Sequence, residues 1–290
     1  MQQKEQDVPL RVDEDPARRL ADTRLFCLDM DGTVYLENIW IEGAREFLQA
    51  IRRAGKRYCF LTNNSSRGSL AYVEKMAGMG LAVEPRVDLI TSGQVTIDYL
   101  QSNYAGKSVY LFGNPSLRTE FAKAGIRLEE EHPDVVVTAF HTGFSYEDLL
   151  RLCRLVREGL PYLATHPDNT CPTAEGPVPD IGALSVYVEA ATGRLPDAVM
   201  GKPSSHMVDY ILKQTGAPRE ETCIVGDRLS TDIRTGLTNG LLSVLVLTGE
   251  TTLPMAQASP WRPDLTFSSV KEMIPFLEEG TTTASPRRER

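Results

Sequence analysis

Short apolar runs alternate with amphipathic stretches along most of the chain. "LFCL", "YCFL", "CIV" and "SVLVL" are short and bounded by polar or glycine residues, which predicts buried strands. Between the first two, residues 44–54 carry Phe47, Leu48 and Ile51 at helical spacing, with Gly55 as the stop. The same reading predicts helices over 69–79, stopped by Gly80, and over 205–215, 232–239 and 270–278. In the middle of the chain, "SVYLF", "DVVVTAF" and "PYLAT" predict strands, and "SYEDLLRLCRLVREG" predicts a helix. Ser145 and Asp148 have capping-box spacing there, with Asp in place of the usual Glu or Gln, and Gly159 is the stop. Strands alternating with helices imply an α/β fold, a mostly parallel sheet with helices on both faces. The middle has its own alternation and reads as a separate, smaller α/β unit. Pro85 and "PTAEGPVPD" are its expected connections. The expected organisation is a flexible tail over 1–23, a discontinuous core of 24–84 and 181–280, an inserted unit over 85–180, and a flexible tail over 281–290.

Three apolar runs end in unusual polar groups. "LFCLDMDGT" ends in Asp29 and Asp31, "YCFLTNNSS" in Thr62, Asn63 and Asn64, and "CIVGDRLSTD" in Asp227. Buried strands avoid carboxylates, because an isolated charge in an apolar medium is very costly. Open α/β sheets bind ligands outside the carboxyl ends of their strands, so three distant segments are expected to serve one crevice.

These groups suit phosphoryl transfer. Asp29 and Asp31 are two residues apart, so an extended backbone sends both side chains the same way, and Gly32 permits a sharp turn next. A hard cation such as Mg²⁺ takes oxygen ligands, which Asp29, Asp227 and a backbone carbonyl near Asp31 can supply. Thr62 offers a hydroxyl, and the turn after it offers amide N–H groups for phosphate oxygens. Lys202 in "GKPSS" precedes a helix start and can neutralise a transferring phosphoryl group.

Each piece also has an ordinary reading. "TNNSS" alone is a polar loop, Lys202 alone a solvated lysine, and "GDRLSTD" a strand-to-helix turn with Ser230 or Thr231 as cap. An EF-hand is excluded, because Tyr35 and Glu37 occupy later ligand positions and the required glycine and terminal Glu are missing. "GKPSS" is not a Walker A loop, since Pro203 replaces Ser/Thr. Their joint occurrence in this order is what carries the chemical reading.

Composition narrows the class. A chain of 290 residues favours two domains. Net charge of -8 and a pI near 5.2 argue against general nucleic-acid binding, which needs a basic stripe. The five cysteines are odd in number and contain no C-x-x-C, as expected for reduced thiols in a cytoplasmic protein. The first twenty residues lack an apolar signal core, and no apolar run is long enough to span a bilayer. Asn63 and Asn64 each begin an N-x-S match, discounted without a secretory signal.

Taken together, "DMDGT", "TNNS", Lys202 in "GKPS" and "GDRLSTD" resemble the four ordered motifs of the haloacid dehalogenase superfamily, in its NagD-like and p-nitrophenyl-phosphatase-like branch. The resemblance covers roughly residues 24–278. It implies a Rossmann-like parallel-sheet core with a second, smaller α/β cap, the insert lying between the threonine and lysine motifs. It implies Asp29 as the nucleophile that forms an aspartyl-phosphate and Asp31 as the general acid/base. Thr62 with the amides of Asn63 and Asn64 matches the phosphate clamp, and Lys202 the charge neutraliser. Asp227, Asp29 and the carbonyl of Asp31 match the Mg²⁺ ligands, and Asp232 the support of the metal's water shell. Asp31 argues against a dehalogenase, since halide departure needs no proton.

There are departures. In "LATHPD", His166 stands where the family's cap loop carries Asn, and Thr165, His166 and Asp168 are the residues expected to set substrate specificity. Ser230 replaces an acidic or amide residue common after "GDRL". The reading favoured is a cytoplasmic Mg²⁺-dependent phosphatase acting on a small phosphomonoester, such as a sugar phosphate, nucleotide, phosphoglycolate-like compound or p-nitrophenyl phosphate. No nucleic-acid or membrane partner is expected, and relatives suggest a homodimer through the cap. A phosphotransferase is the alternative enzyme. A non-catalytic binding protein is disfavoured by the presence of Asp29, Asp31 and Lys202.

Overall fold

The computed structural model describes residues 15–66, 68–171, 173 and 175–279. They divide into two compact units: the described residues of Met1–Cys59 with Ala217–Arg290, and Phe60–Gly216. Residues 1–14 and 280–290, which hold most of the expected tails, lie outside the described residues.

The first unit opens with α1 (Pro16–Asp22), capped by Asp15, whose carboxylate accepts from Ala17 N at 3.0 Å. A helix leaves its last carbonyls without intrahelical partners. Here Lys56 Nζ donates to Leu20 O (3.0 Å), Ala21 O (2.5 Å) and Thr23 O (2.6 Å). Strand β1 (Leu25–Asp29) is buried until its half-exposed last residue. A small ribbon, β2 (Tyr35–Leu36) with β3 (Ile39–Trp40), leads to α2 (Ala44–Arg53). That helix buries Phe47, Leu48 and Ile51, the face its spacing predicts, and Phe47 meets Phe26 of β1 edge to face at 6.1 Å. β4 (Arg57–Thr62) begins in this unit and ends in the other.

The second unit contains α3 (Ser69–Gly78), β5 (Leu89–Thr91), α4 (Ser92–Asn103), β6 (Ser108–Phe112), α5 (Pro115–Lys123), β7 (Arg127–Leu128) and β8 (Val135–Thr138). It continues through α6 (Tyr146–Arg157), β9 (Tyr162–Ala164), a hairpin of β10 (Thr170–Cys171) and β11 (Val178–Pro179), α7 (Ile181–Thr192), β12 (Ala198–Val199) and α8 (Ser205–Thr215). Five strands form a parallel sheet in the order β12-β9-β8-β6-β7. Tyr110, Phe112 and Val136 from the sheet pack with Leu152, Leu155 and Val156 of α6 and Val188 of α7. Ser145 and Asp148 form the reciprocal capping box their spacing predicts. The described end of "PTAEGPVPD" forms the second strand of the hairpin, and its Asp180 is the N-cap of α7. The unit is wider than the insert expected over 85–180, since it also holds α7 and β12.

The chain re-enters the first unit as β13 (Thr222–Gly226), α9 (Arg234–Asn239), β14 (Leu242–Val246), α10 (Leu253–Ala258), β15 (Leu265–Phe267) and α11 (Ile274–Glu279). β1, β13, β14 and β15 pair in parallel, in the order β15-β14-β13-β1, with β4 next to β1. Two predicted helices differ in detail. Over 232–239, a wide π turn at Leu229–Ile233 precedes α9. Ile233 N reaches back five residues to Arg228 O (3.1 Å), while the Asp232 carboxylate accepts from Arg228 N (3.2 Å). Over 270–278, a 3-10 turn at Val270–Met273 comes first, because Pro275 has no N–H to donate to Lys271. Among the described residues, no helix is long and apolar enough to cross a membrane.

Candidate active site

The register of β1 against β13 pairs Leu28 with Val225, so both strands end side by side. Asp29 closes β1, and Asp227 follows the last residue of β13. Asp232 folds back from the π turn towards Gly226, where a Cβ would lie 2.2 Å from the Asp232 Cγ. Asp29, Asp227 and Asp232 each place a ligand oxygen within 4.8 Å of the others. Asp227 and Asp232 are buried and Asp29 half-buried.

Carboxylates this close repel one another, and burial strengthens the repulsion. Protein donors offset part of it. Glu250 N donates to Asp227 Oδ2 (2.7 Å), and Thr33 Oγ1 lies 3.4 Å from Asp227 Oδ1. Gly32 sits at φ +85°, and its carbonyl accepts from Thr248 Oγ1 at 2.5 Å. An all-oxygen set of clustered carboxylates fits a hard divalent cation. Asp31 is exposed, two residues beyond the strand end.

The second unit gathers another set. Thr62 ends β4, and its hydroxyl accepts from Asn64 N (3.1 Å). Asn64 Oδ1 accepts from Ser66 N (2.8 Å), closing a tight polar turn. The Asn63 amide is engaged at both ends. Its Oδ1 accepts from Lys202 N (2.7 Å), and its Nδ2 donates to Lys202 O (2.9 Å) and Asp168 Oδ1 (3.1 Å). Gly201 makes room for this: a Cβ there would be 2.5 Å from Asn63 Oδ1 and 2.8 Å from His166 Cβ.

His166 is fully buried rather than exposed on a loop. Its Nε2 lies 3.0 Å from Asp180 Oδ1, and its Nδ1 lies 2.9 Å from Thr165 Oγ1 and 3.5 Å from Ser65 Oγ. Burial disfavours an imidazolium, but the hydrogen bond and charge of Asp180, with the charge of Asp168, outweigh it and hold the ring's proton affinity above the ordinary value.

Of the residues singled out from sequence, the structure brings Asp29, Asp227 and Asp232 together in the first unit. It brings Asn63, Lys202, Thr165, His166 and Asp168 together in the second. Sequence reasoning missed the stretch Thr248–Glu250 and the pair Ser65 and Asp180. "LVLTGET" carries the same signal as the other strand ends, an apolar run stopping at polar residues. Asp180 was readable only as an acidic residue ahead of a helix.

Family models fit both parts of the chain: one described as haloacid dehalogenase-like hydrolase matches residues 26–127, and an HAD hydrolase-like one matches 199–273. The chain belongs to the haloacid dehalogenase-like hydrolase family. It is 32% identical over 257 residues to acid sugar phosphatase of Staphylococcus aureus, covering 88% of this chain and 98% of that one. Among solved structures it is similar to the 4-nitrophenylphosphatase of Thermotoga maritima, at 42% identity and TM-score 0.86, covering 89% of this chain and 98% of the other. It is also similar to a glycerol phosphate phosphatase of Mycobacterium tuberculosis solved in complex with calcium, at 28% identity and TM-score 0.79, covering 88% and 76%. Within the family it is a phosphatase of the NagD-like and p-nitrophenyl-phosphatase-like branch.

Proposed function

We propose that this chain hydrolyses a small phosphomonoester with Mg²⁺, through a phosphoryl group carried on Asp29. The observation that carries the reading is the convergence of Asp29, Asp227 and Asp232 at adjoining strand ends. Asp29 is the half-exposed member of that cluster, which suits a nucleophile that must meet substrate. Asp31, exposed beside it, donates a proton to the leaving oxygen and later takes one from water. Asp29, Asp227 and the Asp31 carbonyl hold the cation, with Asp232 supporting its water shell. When bound, the cation supplies charge neutralisation at the phosphate.

In the same reading, Thr62 and the amides of Asn63 and Asn64 hold phosphate oxygens, and Lys202 neutralises their charge. The Asn63 amide fixes the Lys202 backbone, which supports a set lysine position. The insert over about 85–180 acts as the cap that selects among substrates; Thr165, His166 and Asp168 lie on its loop, where the buried His166 supports the loop rather than meeting substrate. Five free cysteines support a reducing, cytoplasmic setting, including Cys27 and Cys59 with sulfurs 3.8 Å apart. Assembly is read as a homodimer through the cap, which light scattering in solution checks.

The test is a panel of sugar phosphates, nucleotides, phosphoglycolate and p-nitrophenyl phosphate, assayed with Mg²⁺ for phosphate release. Mg²⁺-dependent hydrolysis of one or more is expected. Phosphate transfer to an acceptor in preference to water would replace the reading with a phosphotransferase, and no turnover of any member would overturn it.

A further inference from the structure

His166 makes polar contacts with Ser65, Thr165 and Asp180, which all lie inside the second unit. Asp180, on one side of the ring, is anchored twice: it caps α7, accepting from Ile181 N at 2.7 Å, and it pairs with His166 Nε2. On the other side lie Thr165 and Ser65. The Ser65 hydroxyl is itself a junction. It accepts from Phe140 N (2.9 Å) and exchanges a hydrogen bond with Thr165 Oγ1 (3.1 Å). Ser65 directly follows Asn64, at the end of the segment read as the phosphate clamp.

A substrate contact needs a polar edge that substrate can reach. The His166 ring has no exposed surface, and both its nitrogens are engaged. An asparagine is shorter and cannot span from Asp180 to Ser65, so histidine at this place is explained by the bridge it makes. Two carboxylates, Asp180 and Asp168, face the ring and favour the doubly protonated form, which donates at both ends. Gly201 closes the space between His166 and Asn63, leaving little slack for the loop.

We propose that His166, braced by Asp180, is a positioning residue that fixes the phosphate-binding loop at Ser65, and that it does not touch the substrate. This rests on the phosphatase reading for the role of that loop. Through the bridge, a rigid helix end holds the amides that receive phosphate, so the pair acts on the part common to all phosphomonoesters. Its loss therefore weakens every substrate alike.

The test uses the full chain with Mg²⁺. Inorganic phosphate affinity is measured by calorimetry, and kcat and KM on the substrate panel, for wild type, His166→Asn, Asp180→Asn and Ser65→Ala. Ser65→Ala removes one hydroxyl and guards against a His166 variant that does not fold, with thermal unfolding as a check on each. Phosphate affinity is expected to fall about tenfold in each variant, the scale of one buried hydrogen bond to a charged partner. KM should rise by a common factor across the panel, with the order of substrate preference kept. The double variant His166→Asn/Ser65→Ala should be no weaker than the worse single one, because both cut the same bridge. Folded variants with unchanged phosphate affinity, or a reordered substrate preference, overturn the proposal. A wild type that binds phosphate yet hydrolyses nothing defeats the phosphatase reading and leaves this test intact. A wild type without phosphate affinity overturns both.

Discussion

Gly249→Ala is the sharpest probe of the carboxylate cluster. Gly249 is not in the left-handed region, so alanine fits its backbone, and the effect is confined to the added methyl. That methyl would lie 1.9 Å from Asp227 Oδ2 and 2.4 Å from its Cγ. Ordinary contact begins near 3.4 Å, so the carboxylate must move by about 1.5 Å, and a misplacement of about 1 Å can cost 10²-fold in rate. Asp227 cannot yield without loss, because Glu250 N holds the same oxygen at 2.7 Å. The expected result is a fall of about 10²-fold in kcat/KM on p-nitrophenyl phosphate, with a raised Mg²⁺ half-saturation. Stability should drop by about 1.5–3 kcal/mol, the scale of a hydrogen bond to a charged group. Gly78→Ala is the control, since a Cβ there meets nothing within 4 Å and its φ is ordinary. A folded Gly249→Ala enzyme with wild-type kcat/KM and Mg²⁺ dependence would refute the role given to Asp227.

Asp29→Asn should abolish turnover and Asp31→Asn should slow it by about 10²–10⁴-fold, both as folded proteins; normal p-nitrophenyl phosphate hydrolysis by the Asp29 variant would end the mechanism. Chelation should stop activity and Mg²⁺ restore it, while Ca²⁺ inhibits through longer bonds and looser geometry; full activity in excess chelator points to other chemistry. Lys56→Met should lower stability by about 1–3 kcal/mol, because three carbonyls at the end of α1 lose their donor, with kcat unchanged. His166 has a raised folded proton affinity, so its charged contacts stabilise fully below about pH 6.5 and fade as pH rises through the folded value. The Tm gap between wild type and His166→Asn should therefore narrow with rising pH, and a gap that widens contradicts the pairing.

Much of the sheet was legible because its strands are apolar runs with sharp polar ends. The Asp29 and Asp227 positions were legible for the same reason: carboxylates terminate runs that otherwise exclude charge. Helix α4 was not, because it buries Ser92, Gly93, Gln94 and Thr96, which give no apolar period. Its start is fixed by a Thr91–Gln94 capping box rather than by a hydrophobic stripe. His166 was read as facing substrate because its partner Asp180 stands fourteen residues on, across a hairpin that the sequence presents only as a proline-rich connection. The backbone donor Glu250 N was invisible for a different reason, since main-chain groups carry no signature of their own.

The pairing of β1 with β13 sets an order on synthesis. Leu25 and Thr222 are about 200 residues apart, and at about 5–20 residues per second the ribosome takes tens of seconds to supply the second strand. Through that interval the strand "LFCLD", which ends at Asp29, has an open edge where β13 will dock, and apolar open edges invite pairing with other chains. The whole of Phe60–Gly216 emerges before that edge is closed. Truncations that end before Gly226 should therefore aggregate rather than yield a partly active core, and the yield of intact protein should depend on chaperones that shield β1 while the chain is completed.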